Sequence, residues 1–109
     1  MSIIDTSLLI DRIREGKDID ENVSMISVIE HPMIMDYARF HGRVLYPDLE
    51  DLEVALELQR KLVEKGKMKG SSDLIIAAMC MNSGETLATA DSDFEDIRKV
   101  SNLKVVWKS

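Results

Sequence analysis

Asp5, Glu30, Asp73 and Asp91 are the side chains of this chain best placed to act together. Asp5 follows Met1-Ser2-Ile3-Ile4, Glu30 follows the run from Val23 to Ile29, and Asp91 follows Thr86-Leu87-Ala88-Thr89-Ala90. Asp73 opens Asp73-Leu74-Ile75-Ile76-Ala77-Ala78. Three of them come at or just after an apolar, β-prone run, and all four precede a stretch that reads as helix. If the strands run parallel, their C-terminal ends lie along one edge and side chains just beyond them converge there. Carboxylates gathered in that way raise one another's pKa values, and a bound dication removes the penalty. Hard cations such as Mg²⁺ and Mn²⁺ choose oxygen ligands, and Mg²⁺ usually keeps several waters beside a few carboxylates. Asp93, two residues past Asp91, adds a fifth acid that a turn would aim at the same point. Cys80, His31 and His41 lack the spacing of a zinc site. One or two bound ions could lower the pKa of a water, orient it in line with a phosphodiester and stabilise the leaving oxygen. Such a site needs no side-chain nucleophile.

Taken singly, Asp5, Asp73 and Asp91 also suit a helix start, through the macrodipole and the unpaired N–H groups there. The combination favours chemistry. Ser71 and Ser72 precede Asp73 and can cap its helix, which leaves the Asp73 carboxylate free of that job. Glutamate is not a preferred N-cap residue, so capping explains Glu30 poorly.

The elements that must position these acids alternate along the chain. Ser2 to Ile4 reads as a strand and Thr6 to about Glu15 as a helix stopped by Gly16. Val23 to Ser27 reads as a second strand. A helix is expected from near residue 29 through Phe40, with Pro32 in its first turn and Gly42 as its stop. Arg43 to Tyr46 reads as a third strand. Asp48 is a good N-cap for a helix from Leu49 to about Glu64. In that helix Leu49, Leu52, Leu56 and Val63, widened by Ala55 and Leu62, form a stripe expected to face the core, with a dimer seam as the minority reading. Residues 65–70 make a basic loop. The segment from Asp73 to Asn82 is apolar nearly all round and should be a central, buried helix. Thr86 to Ala90, Ser92 to Val100 and Leu103 to Trp107 complete the series as strand, helix and strand. Alternation of this kind predicts an α/β domain with a mostly parallel sheet and right-handed crossovers.

The 109 residues suffice for one domain over 1–109 and are too few for two. No stretch reaches the ~20 apolar residues of a membrane span, and no basic segment leads into an apolar run at the start. The single cysteine, Cys80, sits in an apolar run and reads as a buried structural thiol. A reducing, cytoplasmic setting is the expectation. Twenty acidic against fourteen basic residues, a net charge of −6, speak against a broad basic nucleic-acid face.

Ile4-Asp5-Thr6-Ser7-Leu8-Leu9-Ile10, Ser72-Asp73-Leu74-Ile75-Ile76-Ala77-Ala78 and Leu87-Ala88-Thr89-Ala90-Asp91-Ser92-Asp93-Phe94 resemble, in order, the three signature stretches of PIN-domain ribonucleases. The group they most resemble is the VapC toxins of prokaryotic toxin–antitoxin pairs, and the likeness spans nearly the whole chain. The resemblance implies a PIN-like three-layer α/β/α sandwich with a short, mostly parallel sheet. It implies an endoribonuclease whose acids bind Mg²⁺ or Mn²⁺ and cut RNA. By motif match, Asp5, Glu30, Asp73 and Asp91 take the places of the family acids, with Asp93 as a frequent extra one. Ser7 and Thr89 match polar residues lining the site, as groups that orient ligands or water. The implied partners are an RNA substrate, a small antitoxin protein and a second copy in a homodimer, with no membrane. Only twelve residues separate Glu30 from Arg43, where many relatives carry a longer helical pair. The alternative is a PIN-like protein-interaction module that keeps the fold without the catalysis.

RNA would have to approach an acidic protein. Arg60, Lys61, Lys65, Lys67 and Lys69, with a smaller group at Arg39, His41 and Arg43, read either as solvated surface or as a phosphate track. Aromatic residues are 5% of the chain, so base stacking cannot be the main grip. RNA shape should therefore count for more than sequence.

Overall fold

Ile3 and Ile4 turn to opposite faces of one sheet, and that alternation organises the molecule. Residues 1–108 are described by a computed structural model. Five short strands, β1 (Ser2–Ile4), β2 (Asn22–Ser24), β3 (Val44–Leu45), β4 (Thr86–Thr89) and β5 (Val105–Trp107), form a sheet in the order β3-β2-β1-β4-β5. Every neighbouring pair is parallel. From β1 the chain works outward on one side through β2 and β3, then returns to build β4 and β5 on the other. The order therefore reverses between β1 and β4, and a crevice at the carboxyl ends of the strands is expected there.

Two cores fill the two faces. On one, Ile3 and Leu87 meet α3 (Leu49–Glu64), α4 (Ser71–Ser83) and α5 (Asp93–Lys99) through Leu58, Leu62, Ile76, Cys80, Phe94 and Ile97. On the other, Ile4, Val23 and Ala88 meet α1 (Thr6–Arg14) and α2 (Met25–Glu30) through Leu8, Leu9 and Val28. The result is a three-layer α/β/α sandwich, with a sheet that is parallel throughout. Helix α4 is buried from Ile76 to Cys80, as its lack of a polar face requires. Burial pushes the Cys80 thiol up to about 12, so it is a packing group.

Strand β2 is shorter than expected because the Ser24 hydroxyl accepts the Ile26 N–H at 3.1 Å and starts α2 at Met25. The expected single helix from 29 to 40 does not form. Helix α2 stops at Glu30, His31 leaves the helical region, and Pro32–Asp36 makes a 3-10 turn. A proline restricts the residue before it to extended backbone, and here that breaks the helix at His31. The chain then pairs with the segment before β2, Ile19 donating to Arg39 O at 2.9 Å and accepting from His41 N at 2.8 Å. Gly42 is consequently not a helix stop. A Cβ there would lie 2.0 Å from the Glu21 carbonyl oxygen, so the close approach of two backbones is what requires glycine.

Helix α3 starts as expected, with Asp48 and Asp51 closing a reciprocal capping box at 3.0 Å each. Its core face is only partly the expected one, through Ala55 and Leu62. Ala55, Leu58 and Leu62 are buried, whereas Leu49, Leu52, Leu56 and Val63 are exposed. Helix α4 begins at Ser71 with Gly70 as its N-cap, so neither serine caps it.

Candidate functional site

Asp5 sits one residue past β1 and is 1% exposed. Its backbone N–H donates to Ala88 O at 3.0 Å, continuing the pairing with β4. Its carboxylate caps α1, accepting the Leu8 N–H at 2.7 Å. The second carboxylate oxygen accepts the hydroxyl proton of Thr89, the last residue of β4. That same hydroxyl oxygen accepts the Asp91 N–H at 2.9 Å, and Asp91 accepts the Asp93 N–H at 2.9 Å. One chain of hydrogen bonds thus links Asp5, Thr89, Asp91 and Asp93 across the β1–β4 crevice.

Glu30 reaches the same place from the end of α2. It accepts the Ser72 hydroxyl at 3.1 Å and the Thr6 hydroxyl at 3.3 Å, and so spans the N-termini of α4 and α1. Thr6 in turn shares a 2.7 Å hydrogen bond with Ser27. Asp73 stands in the first turn of α4, partly buried, at a helix end without a side-chain cap. Burial, followed by the charges of Asp91, Asp5, Asp93 and Glu30, pushes Asp73 up to about 6. Burial likewise raises Asp5 above the usual carboxylate range, against the pull of its bonds from Thr89 and Leu8. The other four acids expected from the sequence therefore lie within electrostatic reach of Asp73. Ser7 is exposed in the first turn of α1, and its backbone N–H faces Asp5.

The donor set is all oxygen and strongly anionic, which suits a hard divalent ion. In this conformation no three His, Cys, Asp or Glu side chains among the described residues stand close enough together to hold one ion. Asp5 is fixed by its hydrogen bonds. The carboxylates of Glu30 and Asp93 are exposed. Asp93 lies at the rim, 3.6 Å from the Lys69 ammonium, which also holds Asp96 at 2.8 Å.

Thr6, Ser27 and Ser72 were not singled out as site residues. The signal available was the adjacency of Thr6 to Asp5 and of Ser72 to Asp73; the pairing of Thr6 and Ser72 with Glu30, and of Ser27 with Thr6, depends on how α1, α2 and α4 meet. The basic groups are partly engaged elsewhere. Arg39 and His41 bind Asp18 at 3.0 and 3.1 Å, and Arg60 binds Glu57 at 3.2 Å. Lys61, Lys65 and Lys67 are exposed.

Comparison with known proteins places this geometry in context. The profile of the PIN domain family matches residues 37–100. No curated protein sequence gives a significant match. Among solved structures, VapBC2 from Rickettsia felis bound to a promoter DNA fragment has a TM-score of 0.75 at 16% identity, covering 97% of each chain. FitAcB from Neisseria gonorrhoeae has a TM-score of 0.73 at 20% identity, covering 96% of each chain. A toxin–antitoxin complex from Klebsiella pneumoniae has a TM-score of 0.68 at 17% identity, covering 97% of this chain and 96% of that one. At these identities the likeness is one of fold.

Proposed function

The chain belongs to the PIN domain family, whose profile spans more than half of it, and from that premise we propose that it is a metal-dependent endoribonuclease of the VapC toxin type. The observation that supports the reading is that the charges of Asp91, Asp5, Asp93 and Glu30 all act on Asp73, while the Thr89 hydroxyl bridges Asp5 and Asp91 across the ends of β1 and β4. Asp5, Glu30, Asp73, Asp91 and Asp93 would hold Mg²⁺ or Mn²⁺. When bound, such an ion neutralises the cluster and polarises a phosphodiester and a water.

The chain's own residues supply the rest. Asp5 is held in one rotamer by the Leu8 N–H and the Thr89 hydroxyl, so its position costs no reorganisation on binding. Thr89 also sets the turn that carries Asp91. Ser72 and Thr6 tether Glu30. Ser7 and Thr89 would orient water and ligands beside the acids. Lys61, Lys65 and Lys67 offer phosphate contacts on an otherwise acidic protein. A small antitoxin is the expected protein partner, in line with the Klebsiella pneumoniae complex.

The test is purified chain with RNA and Mn²⁺, against the same mixture with a chelator and against Asp5→Asn. Cleavage should need the metal and fall at least ~100-fold in the variant, the order lost when a preorganised electrostatic group is removed. Equal cleavage by wild type and Asp5→Asn disposes of the reading. Intact RNA in every arm, with a stable protein complex, would favour the interaction-module alternative.

A further inference from the structure

Trp107 ends β5 at the same edge of the sheet as the acids. Thr89 pairs with Trp107, and Ile4 pairs with Ala88. The Asp5 N–H carries that register one residue further by donating to Ala88 O. Asp5, Thr89 and Trp107 therefore stand side by side at the ends of three neighbouring strands. Alternation along each strand puts them on one face, that of Ile3, Leu87 and Val105, which packs against α3, α4 and α5. At strand spacings of about 4.8 Å, the Trp107 Cα lies roughly 10 Å from that of Asp5. Trp107 is the one tryptophan of the chain and is 49% exposed. Val105, two residues earlier on the same face, still packs against the core, so the apolar side of β5 runs from the core into solvent where the site begins. Among the described residues no further strand lies outside β5, and its outer side is open.

We propose that Trp107 is a base-stacking platform beside the acids, and that the substrate is accordingly an RNA with an unpaired nucleotide next to the cut. The proposal rests on the ribonuclease reading and names the substrate class of that site. A single exposed apolar side chain is ordinary on a protein surface, so the place of this one carries the argument. It shares a row and a face with Asp5 and Thr89. A nucleotide whose phosphate lies over the acids can lay its own base, or its neighbour's, on the indole. Every base has a π-face, so one platform accepts them all and reads no sequence. The contact needs no cation, which suits a chain with a net charge of −6. A base inside an A-form duplex is already stacked between its neighbours, so a loop, a bulge or a single-stranded segment can use the platform and a continuous helix cannot. Trp107 thus selects for strandedness.

Because the chain has one tryptophan, its fluorescence reports the contact directly. With Mn²⁺ present, a short single-stranded RNA of mixed sequence should quench it saturably. The same strand annealed to its complement should quench it far less. Trp107→Ala should stay folded by circular dichroism, because the position is half exposed, and should bind Mn²⁺ as the wild type does. Its KM for the single strand should rise roughly 5- to 150-fold, the worth of one stacked base, with the loss falling on KM rather than kcat. Trp107→Phe keeps a ring to stack on and should hold KM within a few-fold of the wild type. Cleavage without quenching overturns the platform and leaves the ribonuclease reading standing. So does a Trp107→Ala variant with the KM of the wild type, or equal quenching by strand and duplex. Both RNAs left intact by the wild type overturn the ribonuclease reading, and the platform with it.

Discussion

Asp73 carries the electrostatic strain of the site in one carboxyl group. A carboxyl with a pKa near 6 in the folded chain, against 3.8 as the ordinary value, binds its proton more tightly when folded. Its contribution to stability is full below about pH 4 and fades as pH climbs through 6. Asp73→Asn should therefore stabilise the protein at pH 7 by about 1–2 kcal/mol, allowing for solvent screening, and by almost nothing near pH 4. Urea unfolding at the two pH values checks this. Mn²⁺ should raise the melting temperature of the wild type and leave Asp73→Asn unmoved. Thr89 is the second residue to test, because its fully buried hydroxyl serves Asp5 and Asp91 at once. Thr89→Val should cost about 1–3 kcal/mol, and RNA cleavage should fall with it, while Thr89→Ser keeps both within a small margin. That Asp5, Glu30, Asp73 and Asp91 could act together is legible in the sequence because each follows or opens an apolar run. Thr6 and Ser72 were not, because a hydroxyl announces its partner only once three helix ends have met.

The helices and strands were legible to different depths. Helix α3 is plain in extent, from a clear N-cap to its last turn, yet of the expected core stripe only Ala55 and Leu62 are buried, and Leu49, Leu52, Leu56 and Val63 are exposed. Two apolar stripes share that helix, and periodicity alone does not say which one a sheet will cover. The segment after Glu30 was misread for another reason. Pro32 suits the first turn of a helix, but its constraint on His31 ends one helix and leaves a 3-10 turn. The loop before β2 holds a pairing with no local signature. Glu21, 6% exposed, lies between Arg12 of α1 and Lys108 beyond β5, at 3.2 Å from the latter. Burial pushes its carboxyl up, but the bonds from Arg12, its own backbone and Lys108 prevail and hold it below the usual range. That support is present above about pH 4.5 and is lost as pH falls through the lowered value. Arg12→Met should destabilise by about 3 kcal/mol, because it leaves a buried charge half-paired, and adding Glu21→Met should recover much of the loss. Chemical denaturation of the single and double variants measures both.

At the scale of the molecule, the alternation of strand and helix was enough to foresee the parallel sheet. The strand order was not written in any segment, since it depends on which way the chain turns after β3. That turn matters most for function: by sending β4 to the far side of β1, it sets Thr89 and Asp91 against Asp5. Residues 84 positions apart thus share one hydrogen bond at the heart of the site. The account rests on that crevice holding a hard cation. Calorimetric titration of Mn²⁺ into the purified chain tests it most directly. Saturable binding of one or two ions, abolished in both Asp5→Asn and Asp73→Asn, is the predicted result. No binding by the wild type, or isotherms unchanged by either substitution, would contradict it.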